Sequence, residues 1–263
     1  MRGWWQEISG LVLPAACGGC GVPRTLLCPE CAYELYGSAA RAARPVPAPP
    51  GLPVVHAAAP YADAVRAVLL AHKERGALGL ARPLGIALAG AVRAAVRAAP
   101  GAGDLPLLLV PVPSARWAVR ARGHDATRRI ALAAARELRR TGTAAGVLPL
   151  LRQWRPVTDQ SSLTAPERVA NLAGALRAAE GAGRRLRGAT VVLVDDLMTT
   201  GASLTEAARA VGEAAGAGGG GGPRGAAAGA DAGVLPAAAV VAAPSISFSK
   251  NPEPDQCRRR CSQ

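Results

Sequence analysis

The chain of 263 residues is long enough to form one α/β domain of ordinary size with a small attached module, and its core needs no disulfide bonds. Its 31 basic and 18 acidic side chains give a net charge of +13, which favours phosphates, nucleic acid or anionic lipid without choosing among them. No stretch reaches the roughly 18 uncharged apolar residues of a membrane span, and the N-terminal apolar stretch is too short for a signal peptide. We therefore expect a cytoplasmic protein without membrane insertion.

Four of the six cysteines lie near the N-terminus in two Cys-x2-Cys hooks, Cys17 with Cys20 and Cys28 with Cys31. Two such hooks can place four thiolates tetrahedrally around one Zn²⁺, and a cytoplasmic location disfavours disulfides. A redox centre and unligated thiols are the alternative interpretations. We predict a structural zinc module over residues 1–40, which depends on the metal to fold.

A stretch rich in proline and alanine follows at residues 41–53 and is typical of a linker. Beyond it, apolar strands alternate with amphipathic helices, and this order predicts a parallel sheet flanked by helices. We expect a basic loop after the second strand. The predicted strands are 54–59, 107–113, 147–151, 190–194 and 234–243, and the predicted helices are 63–72, 77–99, 126–140 and one that begins near Ser203.

These elements make one α/β domain over residues 54–243, with an interruption near its end. Residues 216–233 consist largely of glycine and alanine and have too little apolar side chain to offset the entropy of ordering them. We predict a flexible insertion there. Residues 244–263 are polar, contain Cys257 and Cys261, and are predicted to form a disordered tail.

The run VVLVDDLMTTGAS, residues 191–203, joins an apolar strand to two carboxylates and a hydroxyl-rich loop. The end of such a strand brings Asp195 and Asp196 to the edge where parallel sheets bind ligands. The carboxylates can accept hydrogen bonds from ribose hydroxyls, directly or through water bound to Mg²⁺. The loop, at the start of the next helix, suits a 5′-phosphate, although a buried strand with an ordinary turn is the alternative. The loop residues are Thr199, Thr200, Gly201, Ala202 and Ser203.

This run resembles the phosphoribosyl diphosphate (PRPP) motif of type I phosphoribosyltransferases. Three further stretches are similar to the ComF family, a branch of that superfamily whose members begin with a cysteine module. They are HKERG at 72–76, VPVPSARWAVRARGHDAT at 110–127 and DQSSLTAPERVANL at 159–172. His124 and Asp125 depart from the family pattern, which usually has an aromatic residue and asparagine there.

The resemblance implies a phosphoribosyltransferase fold that binds PRPP, or a related nucleotide-sugar phosphate, with Mg²⁺. Asp195 or Asp196 would stabilise positive charge developing on the ribose, and Arg120 and Arg122 would bind the leaving pyrophosphate, unless they belong to a solvated basic loop. Weaker family positions are Lys73, Gln160, Arg168 and Asn171. The three histidines have no ligand spacing, so none is given a catalytic role.

Two functions are compatible with this resemblance. The first is an enzyme that transfers a phosphoribosyl group to a base or amine with release of pyrophosphate, or that hydrolyses it. The second is a non-catalytic competence or DNA-uptake protein that binds single-stranded DNA or DNA-processing proteins and uses the site as a ligand sensor. Fold resemblance alone does not decide between them.

Overall fold

The computed structural model describes residues 16–99, 105–157, 163–216 and 237–248. The strands in these ranges are β1 (Arg41–Ala43), β2 (Val55–Pro60), β3 (Leu107–Pro111), β4 (Ala145–Val147), β5 (Leu151–Gln153), β6 (Leu176–Ala178), β7 (Thr190–Leu197) and β8 (Ala237–Ala243). The α-helices are α1 (Pro29–Tyr36), α2 (Asp63–Glu74), α3 (Ala81–Ala98), α4 (Arg116–Arg122), α5 (Ala126–Arg140), α6 (Ala165–Leu172), α7 (Ala182–Leu186) and α8 (Ala202–Gly216).

Six strands form the main sheet in the order β1-β2-β8-β7-β3-β4, and helices cover both faces. All neighbouring strands are parallel except β1, which pairs antiparallel with β2. The predicted α/β architecture with a parallel sheet flanked by helices is confirmed at this level. A second sheet consists of β5 and β6, paired antiparallel.

The core lies on both faces of the sheet because successive strand residues point in opposite directions. Val192 and Val194 of β7 belong to the cluster that contains α3 and α5, whereas Leu193 belongs to the cluster that contains α8. On the first face, α3 and α5 approach very closely. A Cβ at Gly85 would lie 2.5 Å from the Cβ of Ala133, so the helix contact requires glycine at this point.

The cysteine-rich segment packs directly against the α/β domain. Leu35 of α1 is fully buried and belongs to the same cluster as the residues of α2 and α3. Three of the cysteines, Cys17, Cys28 and Cys31, pack against Ala64 of α2. The segment and the domain therefore share one core, and the first strand of that domain begins inside the predicted linker, since Arg41–Ala43 forms β1.

Several predicted elements differ from the structure. The first part of the expected basic loop is the helix α4, which ends at Gly123 in the left-handed conformation that glycine adopts readily. The expected strand at 147–151 is two strands in different sheets, β4 and β5. The stretch after residue 162, for which the sequence predicts no helix or strand, contains α6, which begins with a capping box of Thr164 and Glu167.

The two predicted unstructured regions are only partly within the described residues. The insertion at 216–233 lies outside them except for Gly216, which ends α8. The tail begins in an ordered form, since Ser245–Ser247 is a 3-10 helix and Phe248 forms a bridge with Ala43. The rest of the tail lies outside the described residues.

One helical stretch, Leu78–Ala98, is long and apolar enough to cross a membrane by length and composition. Its mean hydropathy is 1.3, and 61% of it is buried inside the protein. The core helix of a globular domain meets the same two criteria, so this helix is weak evidence for a membrane span.

Candidate functional site

The carboxyl ends of β3 and β7 lie side by side at the point where the strand order reverses. The chain passes from β3 to β4 on one side, and β7 then pairs with the other side of β3. In open α/β sheets, ligands bind at such a point. A cavity of about 600 Å³ opens here, which is within the range of small-molecule pockets.

An ion pair joins the end of β7 to the last turn of α2. The Nζ of Lys73 lies 2.8 Å from Oδ2 of Asp196, and the Asp196 side chain is only 6% exposed. The neighbouring Asp195 accepts two hydrogen bonds at Oδ1, from the backbone N–H of Asp196 at 2.8 Å and from Oγ1 of Thr127 at 3.4 Å. The two adjacent carboxylates therefore have different partners.

These partners separate the proton affinities of the two carboxyl groups. Burial and the negative charge of Asp196 raise the pKa of Asp195 well above its ordinary value of 3.8. Burial would also raise the pKa of Asp196, but the charge and hydrogen bond of Lys73 lower it below 3.8. Asp196 in turn raises the pKa of Lys73. Near neutral pH, Asp196 and Lys73 are thus charged, and Asp195 takes up a proton more readily than an ordinary aspartic acid.

Two guanidinium groups also line the cavity. The Nη1 of Arg122 lies 3.5 Å from Oε1 of Glu74, and its Nε donates a hydrogen bond to the carbonyl oxygen of Ala118 at 3.0 Å. Arg168 of α6 donates a hydrogen bond from Nη1 to Oγ1 of Thr199 at 3.4 Å. Together with Lys73, they place three cationic groups in the lining, alongside the acidic side chains of Glu74, Asp195 and Asp196.

The loop between β7 and α8 is held from one side by the proline-rich segment that precedes β2. Gly201 has φ +79°, and a Cβ at this position would lie 2.9 Å from Cδ1 of Leu52 and 3.5 Å from Cγ of Pro45. The loop therefore needs glycine both for its backbone conformation and for its packing. The carbonyl oxygen of Gly201 accepts a hydrogen bond from the backbone N–H of Thr205 at 2.9 Å, and this bond begins the hydrogen bonding of α8.

The structure brings part of the predicted site together. Three of the predicted loop residues do not line the larger cavity. Thr200 lines a smaller cavity of about 200 Å³ beside the proline-rich segment, and Gly201 and Ala202 are buried. Arg120 is exposed on α4 and does not line the larger cavity. The predicted residues that do line it are Asp195, Asp196, Thr199, Ser203 and Arg122.

Sequence reasoning gave too little weight to three residues of this cavity. Lys73 had only a weak match, although lysine is rare in this arginine-rich chain and occurs only at Lys73 and Lys250. Thr127 is buried at the start of α5 and contacts Asp195. Trp117 lines the cavity and is 55% exposed, but the prediction of a loop at this position gave no reason to place its ring there.

The four cysteines of the two hooks form a second candidate site. The Sγ atoms of Cys17, Cys20, Cys28 and Cys31 all lie within 4.8 Å of one another. The Sγ atoms of Cys20 and Cys28 are 3.6 Å apart, close to the roughly 3.8 Å expected when four thiolates surround one Zn²⁺ at about 2.3 Å. The four cysteines are thus within metal-binding distance.

Hydrogen bonds to sulfur favour thiolate at one of these cysteines. The backbone N–H groups of Gly19 and Cys28 donate to Sγ of Cys17 at 3.4 and 3.3 Å. Burial would raise the pKa of the Cys17 thiol, but N–H donors of Cys28, Cys20 and Gly19 lower it to about 6. Burial and the neighbouring cysteines raise the pKa of the Cys31 thiol, so a second thiolate beside Cys17 is unfavourable without a cation. Thiolates are the metal-binding form of cysteine, and the N–H donors at Cys17 fit that form.

No protein-family model matches the chain, and no curated protein matches its sequence. The function therefore has to be argued from the geometry of the two sites.

Proposed function

We propose that the cavity at the ends of β3 and β7 binds PRPP with Mg²⁺ and that the protein is a phosphoribosyltransferase of the type I fold. The single observation that supports this best is the pair Asp195 and Asp196 beside Lys73, at the strand-order reversal and directly before a phosphate-binding type of loop. The ComF-like motifs in the sequence favour PRPP binding at this cavity.

In this proposal each group has a separate role. The carboxylates of Asp195 and Asp196 accept hydrogen bonds from the ribose hydroxyls, and Mg²⁺, when bound, neutralises part of the diphosphate charge. Thr199 and Ser203 line the same cavity and bind the 5′-phosphate. Lys73 and Arg122 face the negative charge of the diphosphate as pyrophosphate leaves C1 of the ribose.

The acceptor would enter from the side of the cavity that is lined by Trp117. An exposed indole ring offers a flat apolar surface on which a planar base can stack.

We also propose that Zn²⁺ occupies the four-cysteine cluster and serves structure rather than catalysis. Helix α1 begins directly after Cys28, includes Cys31 and buries Leu35 in the main core. A metal bound there would fix α1 against the domain.

Calorimetry with PRPP, with and without Mg²⁺, tests the principal proposal. We expect magnesium-dependent binding that weakens far more for PRPP than for ribose 5-phosphate when Asp195 and Asp196 are both replaced by asparagine. The matched control is Glu180→Gln, which removes a carboxylate from an exposed position away from the cavity. It should leave both affinities unchanged.

Pyrophosphate release in the presence of a panel of bases then separates an enzyme from a ligand sensor. Release that depends on one base class supports transfer. Binding of PRPP without release for any base supports the non-catalytic function associated with DNA uptake. A folded wild-type protein that binds neither PRPP nor ribose 5-phosphate at millimolar concentration contradicts both.

A further inference from the structure

A second cleft lies on the other side of the turn that follows α4. It has a volume of about 510 Å³ and is bounded by the start of α3, the turn at 123–125 and one face of α5. The cleft is distinct from the cavity at Asp195, because Arg122 lines that cavity whereas His124, two residues later, lines this cleft. We call it the arginine cleft.

Four arginines give the arginine cleft its charge. One comes from α3 and three from α5, and all four are exposed: Arg82, Arg128, Arg129 and Arg136. They come together because the contact at Gly85 and Ala133 brings the two helices close. On α5, Arg128, Leu132 and Arg136 are spaced four residues apart and share one face.

The described residues contain no carboxylate within ion-pair distance of any of these four arginines. Glu137 attracts Arg82 electrostatically, but its ion pair is with Arg140. Asp125 is the acidic residue of the lining, and its carboxylate already accepts hydrogen bonds from the backbone N–H of Arg128 at 3.0 Å and from Oγ of Ser114 at 3.3 Å. Four like charges around one cleft repel one another, and a multiply charged anion would relieve that repulsion.

The shape and lining of the cleft indicate the class of anion. Its volume is typical of small-molecule pockets. Single-stranded nucleic acid is usually bound by a longer basic track with aromatic rings on which bases stack, yet no tryptophan, tyrosine or phenylalanine lines this cleft. Guanidinium groups suit phosphates because each can form two parallel hydrogen bonds with one phosphate group.

We propose that the arginine cleft is a binding site for linked phosphate groups, either a free oligophosphate or the polyphosphate of a nucleotide. The site is separate from the PRPP site proposed above and does not depend on it. Arg128 and Arg136 would hold neighbouring phosphates, and the exposed Leu78 and Leu132 at the same cleft would contact the apolar part of a nucleotide.

The test uses the full chain as purified, in low salt and without added Mg²⁺. We compare calorimetric titrations with four ligands: inorganic triphosphate, ATP, orthophosphate and a 20-nucleotide oligothymidylate. We expect triphosphate and ATP to bind at least about tenfold more tightly than orthophosphate, because linked phosphates can form more charge-assisted hydrogen bonds than a single phosphate. Equal affinities for triphosphate and ATP identify a free oligophosphate as the ligand, whereas tighter binding of ATP identifies a nucleotide.

Two double variants locate the site. Arg128→Ser with Arg136→Ser should weaken triphosphate binding by about tenfold or more, because two bidentate partners are lost. The matched control, Arg184→Ser with Arg185→Ser, removes the same charge from exposed positions on α7 and should leave triphosphate binding unchanged. The double asparagine variant at Asp195 and Asp196 should also retain it, so failure of the PRPP proposal is distinguishable from failure of this one.

Three results would overturn the inference. The first is a folded protein that does not bind triphosphate at about 1 mM. The second is an equal loss in the arginine-cleft variant and in the α7 control, which would assign the effect to net charge. The third is oligothymidylate binding that is lost in the arginine-cleft variant while triphosphate does not bind, which would make the cleft part of a nucleic-acid surface.

Discussion

The Nζ of Lys73 lies 2.8 Å from Oδ2 of Asp196, so the last turn of α2 is tied to the end of a central strand. The two residues are far apart in sequence, and the carboxylate is almost fully buried whereas the ammonium is 34% exposed. A buried carboxylate without a partner is strongly unfavourable. Removing either partner would therefore leave an unpaired charge at the cavity, and we expect such a change to be costly.

We expect Lys73→Met to lower the free energy of unfolding by about 1–2 kcal/mol, which is less than the roughly 3–5 kcal/mol typical of breaking a buried ion pair, because the ammonium is partly in water. The double variant, Lys73→Met with Asp196→Asn, should lose less stability than the sum of the two single variants, because the double variant leaves no unpaired buried charge. Urea unfolding of the four proteins measures this coupling. Strict additivity would show that the pair does not stabilise the fold.

The Asp195→Asn variant should be more stable than the wild type at pH 8. The pKa of Asp195 is raised in the folded state, so its ionisation disfavours folding. Below the unfolded pKa the carboxyl group is protonated in both states and this cost is absent, and the cost grows as pH rises towards the folded pKa. The gain in stability should thus be small near pH 4.5 and larger at pH 8, as measured by urea unfolding at both. A variant that is less stable at pH 8 would contradict this prediction.

Elemental analysis should find one equivalent of zinc per chain, and Cys17→Ser or Cys28→Ser should lose most of it, since three ligands bind more weakly than four. The same variants should melt at a lower temperature because α1 shares the main core through Leu35. The control is Cys257→Ser with Cys261→Ser, which changes two cysteines outside the hooks and should keep the zinc. Metal-free wild-type protein, purified without chelator, would exclude the zinc assignment.

Gly201→Ala should destabilise the protein by about 1–3 kcal/mol, because alanine is strained at φ +79° and its Cβ would contact Leu52. The double variant of Gly201→Ala with Leu52→Ala should recover only the part of the lost stability that the contact with Leu52 causes. The cost of Leu52→Ala alone is subtracted in this comparison. Both variants should bind ribose 5-phosphate and PRPP more weakly if the loop holds phosphate. Thermal unfolding and calorimetry give the two readouts, and unchanged binding by Gly201→Ala would remove the loop from the site.

The sequence predicted the parts of the fold whose signals are local. The strand that contains Asp195 and Asp196, the helix at 126–140 and the two cysteine hooks have apolar periodicity or ligand spacing that is visible without tertiary contacts. Helix α4 was missed because its seven residues are mostly basic or small, and its apolar pattern is too short to distinguish from a loop.

The candidate site was predicted in part for a similar reason. Residues that lie close together along the chain, such as Asp195 and Thr199, belong to one motif and could be assigned to one site. Lys73, Thr127 and Arg168 come from three other elements, and only strand order brings those elements to one edge of the sheet. Strand order depends on long-range pairing, which short sequence patterns do not encode.

The position of β8 has a consequence for how this chain is made. Ala237–Ala243 lies between β2 and β7, so it alone joins the β1-β2 pair to the strands β7, β3 and β4. During synthesis on the ribosome, β2 emerges long before β8 and has no parallel neighbour until β8 follows. We therefore expect the nascent chain to hold two separate half-sheets, with apolar edges accessible to chaperones or to other chains, until β8 has left the exit tunnel.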